Sequence, residues 1–298
     1  FSDDRAFSGT QSAQININQG TTAFGYWGGI KSFPEELGEG DEIWVRLRTF
    51  FPSGFDFNTN ISVLKFLRFR VKEDDGTHLG YHDLMIWNDG SYYKASELRA
   101  VLRVAVFPTG NEYEYAQNYI IGETVVGETS GAIATVTAPH PRGFHFEYNA
   151  GSPLFVQFET ITGQTSGENR TRVRYIRTSN NTRFGSDYPI KTNVWETIVV
   201  RYRFSTTNPL LQFYKNVGET GFDSDGKPIG GSIQLIYEDS IDKTLKSPTD
   251  KVGAFFMFTY WNGGAPQTQN MYIDDLWIST SPPPELPLDL VFSDGFDL

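Results

Sequence analysis

The feature that most constrains this chain is alternation with a period of two residues, repeated along almost its whole length. In Ser12–Asn18 the polar Ser12, Gln14, Asn16 and Asn18 alternate with Ala13, Ile15 and Ile17. Only a pleated strand puts every second side chain on one face. Ile43–Phe50 repeats the pattern, with Ile43, Val45 and Leu47 opposed to Trp44, Arg46, Arg48 and Phe50. Further strands are predicted at Val63–Val71, Leu84–Trp87, Tyr92–Lys94, Ala100–Phe107, Val194–Phe204, Ala254–Trp261 and Met271–Thr280. Leu210–Tyr214 and Ser232–Glu238 read as a pair around the turn-rich Gly218–Gly231, and Asn88-Asp89-Gly90 is a hairpin signal. Helical spacing is confined to Glu35–Leu37 and Ser96–Leu98, one turn each. The pattern predicts an all-β fold, an antiparallel β-sandwich of jelly-roll type.

Composition agrees and excludes several functions. The 298 residues suffice for a full core, and 15% aromatic residues suit half-buried pleated surfaces. A formal net charge of −11 argues against a nucleic-acid partner, which needs a basic footprint. With no cysteine there is neither a disulfide scaffold nor a thiolate metal site. No apolar run is long enough to span a bilayer. The chain begins at Phe1 without a methionine, which is consistent with removal of a leader or upstream domain and favours an extracellular setting.

The middle of the chain carries an internal repeat. Gly122–Gly131 (GETVVGETSG) and Phe158–Gly167 (FETITGQTSG) both fit E-T-x-x-G-x-T-S-G, offset by 36 residues. The expected organisation is a sandwich formed by residues 1–111 and 183–280, an inserted β-repeat subdomain at 112–182, and a proline-rich linker with a terminal strand at 281–298. Val291–Leu298 (VFSDGFDL) is expected either to return to the sheet or to open a following domain.

Two resemblances follow from these residues. Asn193–Asn216 (NVWETIVVRYRFSTTNPLLQFYKN) with Met271–Ser279 (MYIDDLWIS) resembles concanavalin A-like jelly rolls, and more particularly their polysaccharide-lyase-like branch. The resemblance implies a sheet face that meets a uronate sugar, with a Tyr or His and a basic residue doing the chemistry. Gly122–Val136 is similar to small β repeats in virion and tail proteins of tailed bacteriophages, which implies a virion-associated or other extracellular assembly with further subunits.

Arginines recur at i, i+2 as Arg46/Arg48, Arg68/Arg70, Arg201/Arg203 and, in the insertion, Arg172/Arg174. Each pair shares one strand face. If the three sandwich pairs converge, they form a cationic groove whose guanidinium forks suit the carboxylates or sulfates of an acidic polysaccharide or cell-surface glycan. The competing reading is charged sheet faces paired across strands with Asp or Glu. Trp44, Tyr202, Tyr260 and Trp261 are candidates for stacking on sugar rings, although most aromatics in such a chain are core. Of the four histidines (His78, His82, His140, His145), His82 is the general-base candidate, with the adjacent Tyr81 as acid. No histidine pair has metal spacing, and no cofactor is implied. Asp223-Ser224-Asp225-Gly226 and Asp274-Asp275 suggest a structural calcium or, more simply, turns. Glu196 and Glu238 lack the pattern of a glycosidase pair. Asn60, Asn169 and Asn180 begin sequons of the kind that chance produces. The expected function is a carbohydrate-recognising or structural module; the alternative is a lyase that cleaves a uronate glycan by β-elimination.

Overall fold

The computed structural model describes residues 1–22, 28–57, 63–87, 90–96, 103–106, 119–140, 143–153, 155–156, 159–170, 173–175, 181–240, 244–245 and 247–286. Asn88 and Asp89, Arg172, the first residues of the Asn60 and Asn180 sequons and the 287–298 tail lie outside them, as do the side chains of His140 and His145. Every regular element among the described residues is a strand. In chain order these are β1 (Ala13–Ile17), β2 (Gly29–Leu37), β3 (Glu42–Phe50), β4 (Val63–Lys72), β5 (His78–Trp87) and β6 (Tyr93–Ser96). The central strands are β7 (Arg103–Val106), β8 (Thr124–Gly127), β9 (Ile133–His140), β10 (Gly143–Tyr148), β11 (Ile161–Gly163), β12 (Asn169–Arg170) and β13 (Val173–Tyr175). The last are β14 (Asn181–Phe184), β15 (Trp195–Arg203), β16 (Leu210–Phe222), β17 (Pro228–Asp239), β18 (Lys251–Trp261) and β19 (Gln269–Ser279). Among the described residues no helix is long and apolar enough to cross a membrane.

Two compact units result: residues 1–98 with 181–298, and residues 99–180. The first is an antiparallel sandwich. One sheet runs β1-β19-β3-β15-β16-β17 and the other β14-β6-β5-β4-β18-β2. The chain crosses from sheet to sheet at β1, β2, β3 and β4 and again near its end, the winding of a concanavalin A-like jelly roll. Between the sheets lie Val45, Leu47, Ile198, Val200 and Phe213 from the first, and Phe66, Phe69, Val71, Leu84 and Phe255 from the second. Burying such side chains contributes roughly 1.5–3 kcal/mol each, which is why alternation dictates the faces.

Three strand expectations change. Glu35–Leu37 continues β2 rather than making a helical turn. Strand 210–214 extends to 222, and its partner begins at 228; register shifts at Phe213/Tyr214 and Glu219/Gly221 interrupt the pairing, the second where Gly221 and Gly230 lie. Residues 103–106, expected in the sandwich, pair with β10 and β13 in the second unit.

That second unit has one sheet, β12-β11-β8-β9-β10-β7-β13, over a core of Tyr119, Val125, Ala134, Val136, Phe146, Phe155 and Ile161. Its repeat is explained by crossed contacts. Glu123 of the first copy accepts hydrogen bonds from the backbone N–H groups of Thr165 (3.2 Å) and Ser166 (3.0 Å) and from the Ser166 hydroxyl in the second copy. Glu159 of the second copy accepts the same set from Thr129, Ser130 and the Ser130 hydroxyl. The conserved spacing also requires glycine: a Cβ on Gly127 would stand 2.6 Å from the Glu159 carboxylate, and one on Gly163 2.6 Å from that of Glu123. Burial alone would raise the Glu123 carboxyl, but these donors hold it below the usual range.

Candidate functional site

The arginine pairs do not converge. Arg46, Arg48, Arg201 and Arg203 lie on the outer face of the first sheet, because their strand neighbours Val45, Leu47, Val200 and Tyr202 belong to the core. There they meet acids. Glu42 receives Arg201 Nε at 2.9 Å and Arg203 Nη1 at 3.2 Å. Arg48 pairs with Asp275, and Glu285 joins Arg46 to Arg48, the latter at 3.2 Å. Partial burial leads in lowering the Arg48 guanidinium, with Asp275 opposing it. Asp275 reaches Arg48 from a bulge in β19 where its φ is +50°, a conformation that costs a non-glycine residue energy.

The same face is covered by residues from two distant segments, Phe7 and Leu286. Phe7 packs on Trp195 and under the Arg48 guanidinium at 3.7 Å, held by Asp274, which accepts from the Phe7 and Ser8 N–H groups. Leu286 is buried with Trp44, Val199, Tyr214 and Ile233. Asp274 and Asp275 are therefore engaged in protein contacts. Asp223 Oδ1 likewise accepts from the Asp225 and Lys227 N–H groups, a turn. Among the described residues no three His, Asp or Glu side chains are grouped to hold a metal ion.

Arg68 and Arg70 lie on the outer face of the second sheet, in a different company. Cross-strand register arranges that face in rows. Lys94, Met85, Lys65 and Tyr260 form one row across β6, β5, β4 and β18. Asp83, Arg68, Phe256 and Ile30 form the next, and Tyr81, Arg70, Ala254 and Ser32 a third. Asp83 is buried between two cations, with Lys65 Nζ at 2.8 Å and Arg68 Nε at 2.5 Å. Burial by itself would raise its carboxyl; Lys65 and Arg68 outweigh that and hold it below the usual carboxylate range. Arg70 is exposed and has no carboxylate partner among the described residues. The guanidinium of Arg68 stacks on the Tyr81 ring at 3.7 Å, and Phe256 and His78 meet the same ring at 5.4 and 4.8 Å. Partial burial, and then the charges of Arg70 and Arg68, push the His78 imidazole below its ordinary value. Asp83 thus serves two buried cations, and the exposed Arg70 stands beside them at an aromatic surface, an arrangement suited to an anionic ring-shaped ligand.

Several expected site residues are corrected by burial. His82 faces the core, 2% exposed, between Tyr202 and Phe204, with Nε2 2.6 Å from the Thr244 carbonyl oxygen. Burial pulls its imidazole down to about 4, so it stays neutral and donates to that carbonyl rather than taking a proton from a ligand. Tyr81, its strand neighbour, points to the opposite face, so the two cannot act as a pair. Tyr202 and Trp261 are 1% and 0% exposed within the core and cannot stack on a sugar. Trp44 is buried beneath Leu286, while Tyr260 stands on the second sheet's outer face. Glu196 is buried with Lys215 at 2.6 Å; burial raises its carboxyl and Lys215 opposes. Glu238 bonds Gln212 on the other face of that sheet, so no glycosidase pair forms. Lys65, Asp83, His78 and Phe256 are additions to the site.

The sequence matches no family model and no curated relative. Solved structures similar in outline include an alginate lyase, vAL-1, from a Chlorella virus, at 12% identity over 92% of this chain and 86% of that one, TM-score 0.43. A mutant of alginate lyase Aly36B in complex with alginate trisaccharide gives 10% identity over 89% and 80%, TM-score 0.38. A GH131 β-glucanase catalytic domain from Podospora anserina gives 10% over 91% and 73%, TM-score 0.26. With scores this low, the likenesses do not bear on this chain's chemistry.

Proposed function

We propose that this chain is a carbohydrate-recognising β-sandwich module that binds an acidic polysaccharide across the outer face of its second sheet, as part of an extracellular or virion-associated assembly. The observation that carries the reading is the exposed Arg70 on one face with the half-buried rings of Tyr81 and Tyr260, over a buried layer of Lys65, Arg68, Asp83 and Phe256. The exposed Arg70 guanidinium meets a uronate carboxylate or sulfate, and the Tyr81 and Tyr260 rings meet the sugar's apolar face. The virion setting is supported by the resemblance of Gly122–Val136 alone.

Electrophoresis through gels containing alginate, glucuronan or glycosaminoglycans tests the reading. Retardation by at least one polyanion is expected, abolished in an R68A/R70A variant and retained in R201A/R203A. Equal migration in all gels overturns it. A second reading, β-elimination on a uronate glycan, is favoured by Tyr81 standing between Arg68 and His78. There the cations would neutralise the carboxylate and Tyr81 would move the proton. Ultraviolet absorbance of an unsaturated product, lost in Y81F, distinguishes it from binding alone.

A further inference from the structure

The last described residues do not simply trail away from the fold. After β19 the chain runs through Ser281-Pro282-Pro283-Pro284, and a turn closes with the Leu286 N–H donating to the Pro283 carbonyl at 3.1 Å. Leu286, 4% exposed, enters an apolar pocket of Trp44, Val199, Tyr214 and Ile233. One residue earlier, the Glu285 carboxylate bridges Arg46 and Arg48. The receiving surface is rigid sheet: Arg46 is further held by the Asp275 carbonyl at 3.1 Å, and Arg48 by the Thr197 hydroxyl at 3.2 Å. A carboxylate in an arginine fork beside an aliphatic side chain in an aromatic-walled pocket is how a groove reads a short peptide. Proline upstream lowers the entropy of ordering such a segment.

We propose that the outer face of the first sheet is a peptide-docking site for a proline-rich Glu-Leu segment, occupied in cis by this chain's own residues 281–286. A second copy supplies the same segment in trans, and the exchange leaves the sandwich unchanged. In cis the short connection holds the turn at an effective concentration on the order of millimolar, so the intramolecular form dominates in the isolated chain.

The test uses the full chain and a capped synthetic peptide with the sequence of residues 281–286, followed by titration calorimetry. An E285Q/L286A chain, whose resident turn is weakened, is expected to bind the peptide saturably, and the wild-type chain about tenfold more weakly because its own turn competes. A peptide carrying the same two substitutions is expected to bind roughly ten- to hundredfold more weakly than the original. Absence of saturation by about 1 mM peptide overturns the proposal, since the cis turn would then be unable to compete at its effective concentration. Equal affinity for the two peptides overturns it as well. Should L286A unfold the sandwich, judged by circular dichroism, the E285Q chain serves in the same comparison.

Discussion

The two outer faces of the sandwich carry the same sequence signal and end in opposite states. On the first, four arginines are matched by Glu42, Asp275 and Glu285, and Phe7 and Leu286 cover part of the sheet. On the second, Lys65 and Arg68 share Asp83, and Arg70 stands exposed. Arginines at alternate positions therefore do not by themselves mark a ligand site. What separates the faces is how many carboxylates the strand order delivers, and whether another part of the chain already occupies the surface.

That contrast can be broken or sharpened by substitution. Asp83→Asn removes the buried carboxylate that Lys65 and Arg68 share, so an unfolding free-energy loss of about 3–5 kcal/mol is expected in urea titrations. Glu42→Gln on the first face, where the carboxylate is partly exposed, is expected to cost about 1 kcal/mol. Equal losses would erase the distinction between a buried and a rim charge network.

The core beneath gives the next effect. With its folded value near 4, below ~6.5 when unfolded, His82 binds a proton in the unfolded chain first. Its contribution is thus complete above ~6.5 and is lost as pH falls towards 4, by about 3 kcal/mol. In H82Q this part of the pH dependence of the urea midpoint is expected to vanish.

Smaller effects concern the surface. Arg70→Ala is expected to weaken polyanion binding about tenfold, and Arg203→Ala to leave it unchanged, in the same affinity gels. The opposite order would move the site to the first face. Lys72→Ala, which removes a half-exposed pair with Glu36 at 2.6 Å, is expected to change stability by less than ~1 kcal/mol.

The sandwich was legible because alternation reports which side of a strand is buried. The site was legible only in part. Alternation already places His82 opposite Tyr81, and Tyr202 opposite Arg201 and Arg203, since neighbours on a strand face apart. Adjacent residues on a strand therefore cannot share a site on one face. Lys65 was hidden for a different reason: three residues from Arg68, it belongs on the far face of a regular strand. A register shift between Lys65 and Leu67 turns it to the same side, and nothing in the local sequence announces that bulge. Nor does any local pattern say which arginine pair falls on which sheet, because strand order is set by pairings distant in sequence. Glu285 lies 237 residues from Arg48 along the chain.

The crossed glutamates of the inserted unit carry a consequence for how such a unit can be inherited. Each copy of the motif is finished by the other, so a lone copy would leave its carboxylate with only the N–H of its own copy, Ile120 or Val156, and its turn without an acceptor. Deleting either copy is expected to damage both, whereas deleting the two together removes a self-contained piece. The two copies are thus expected to be gained or lost together.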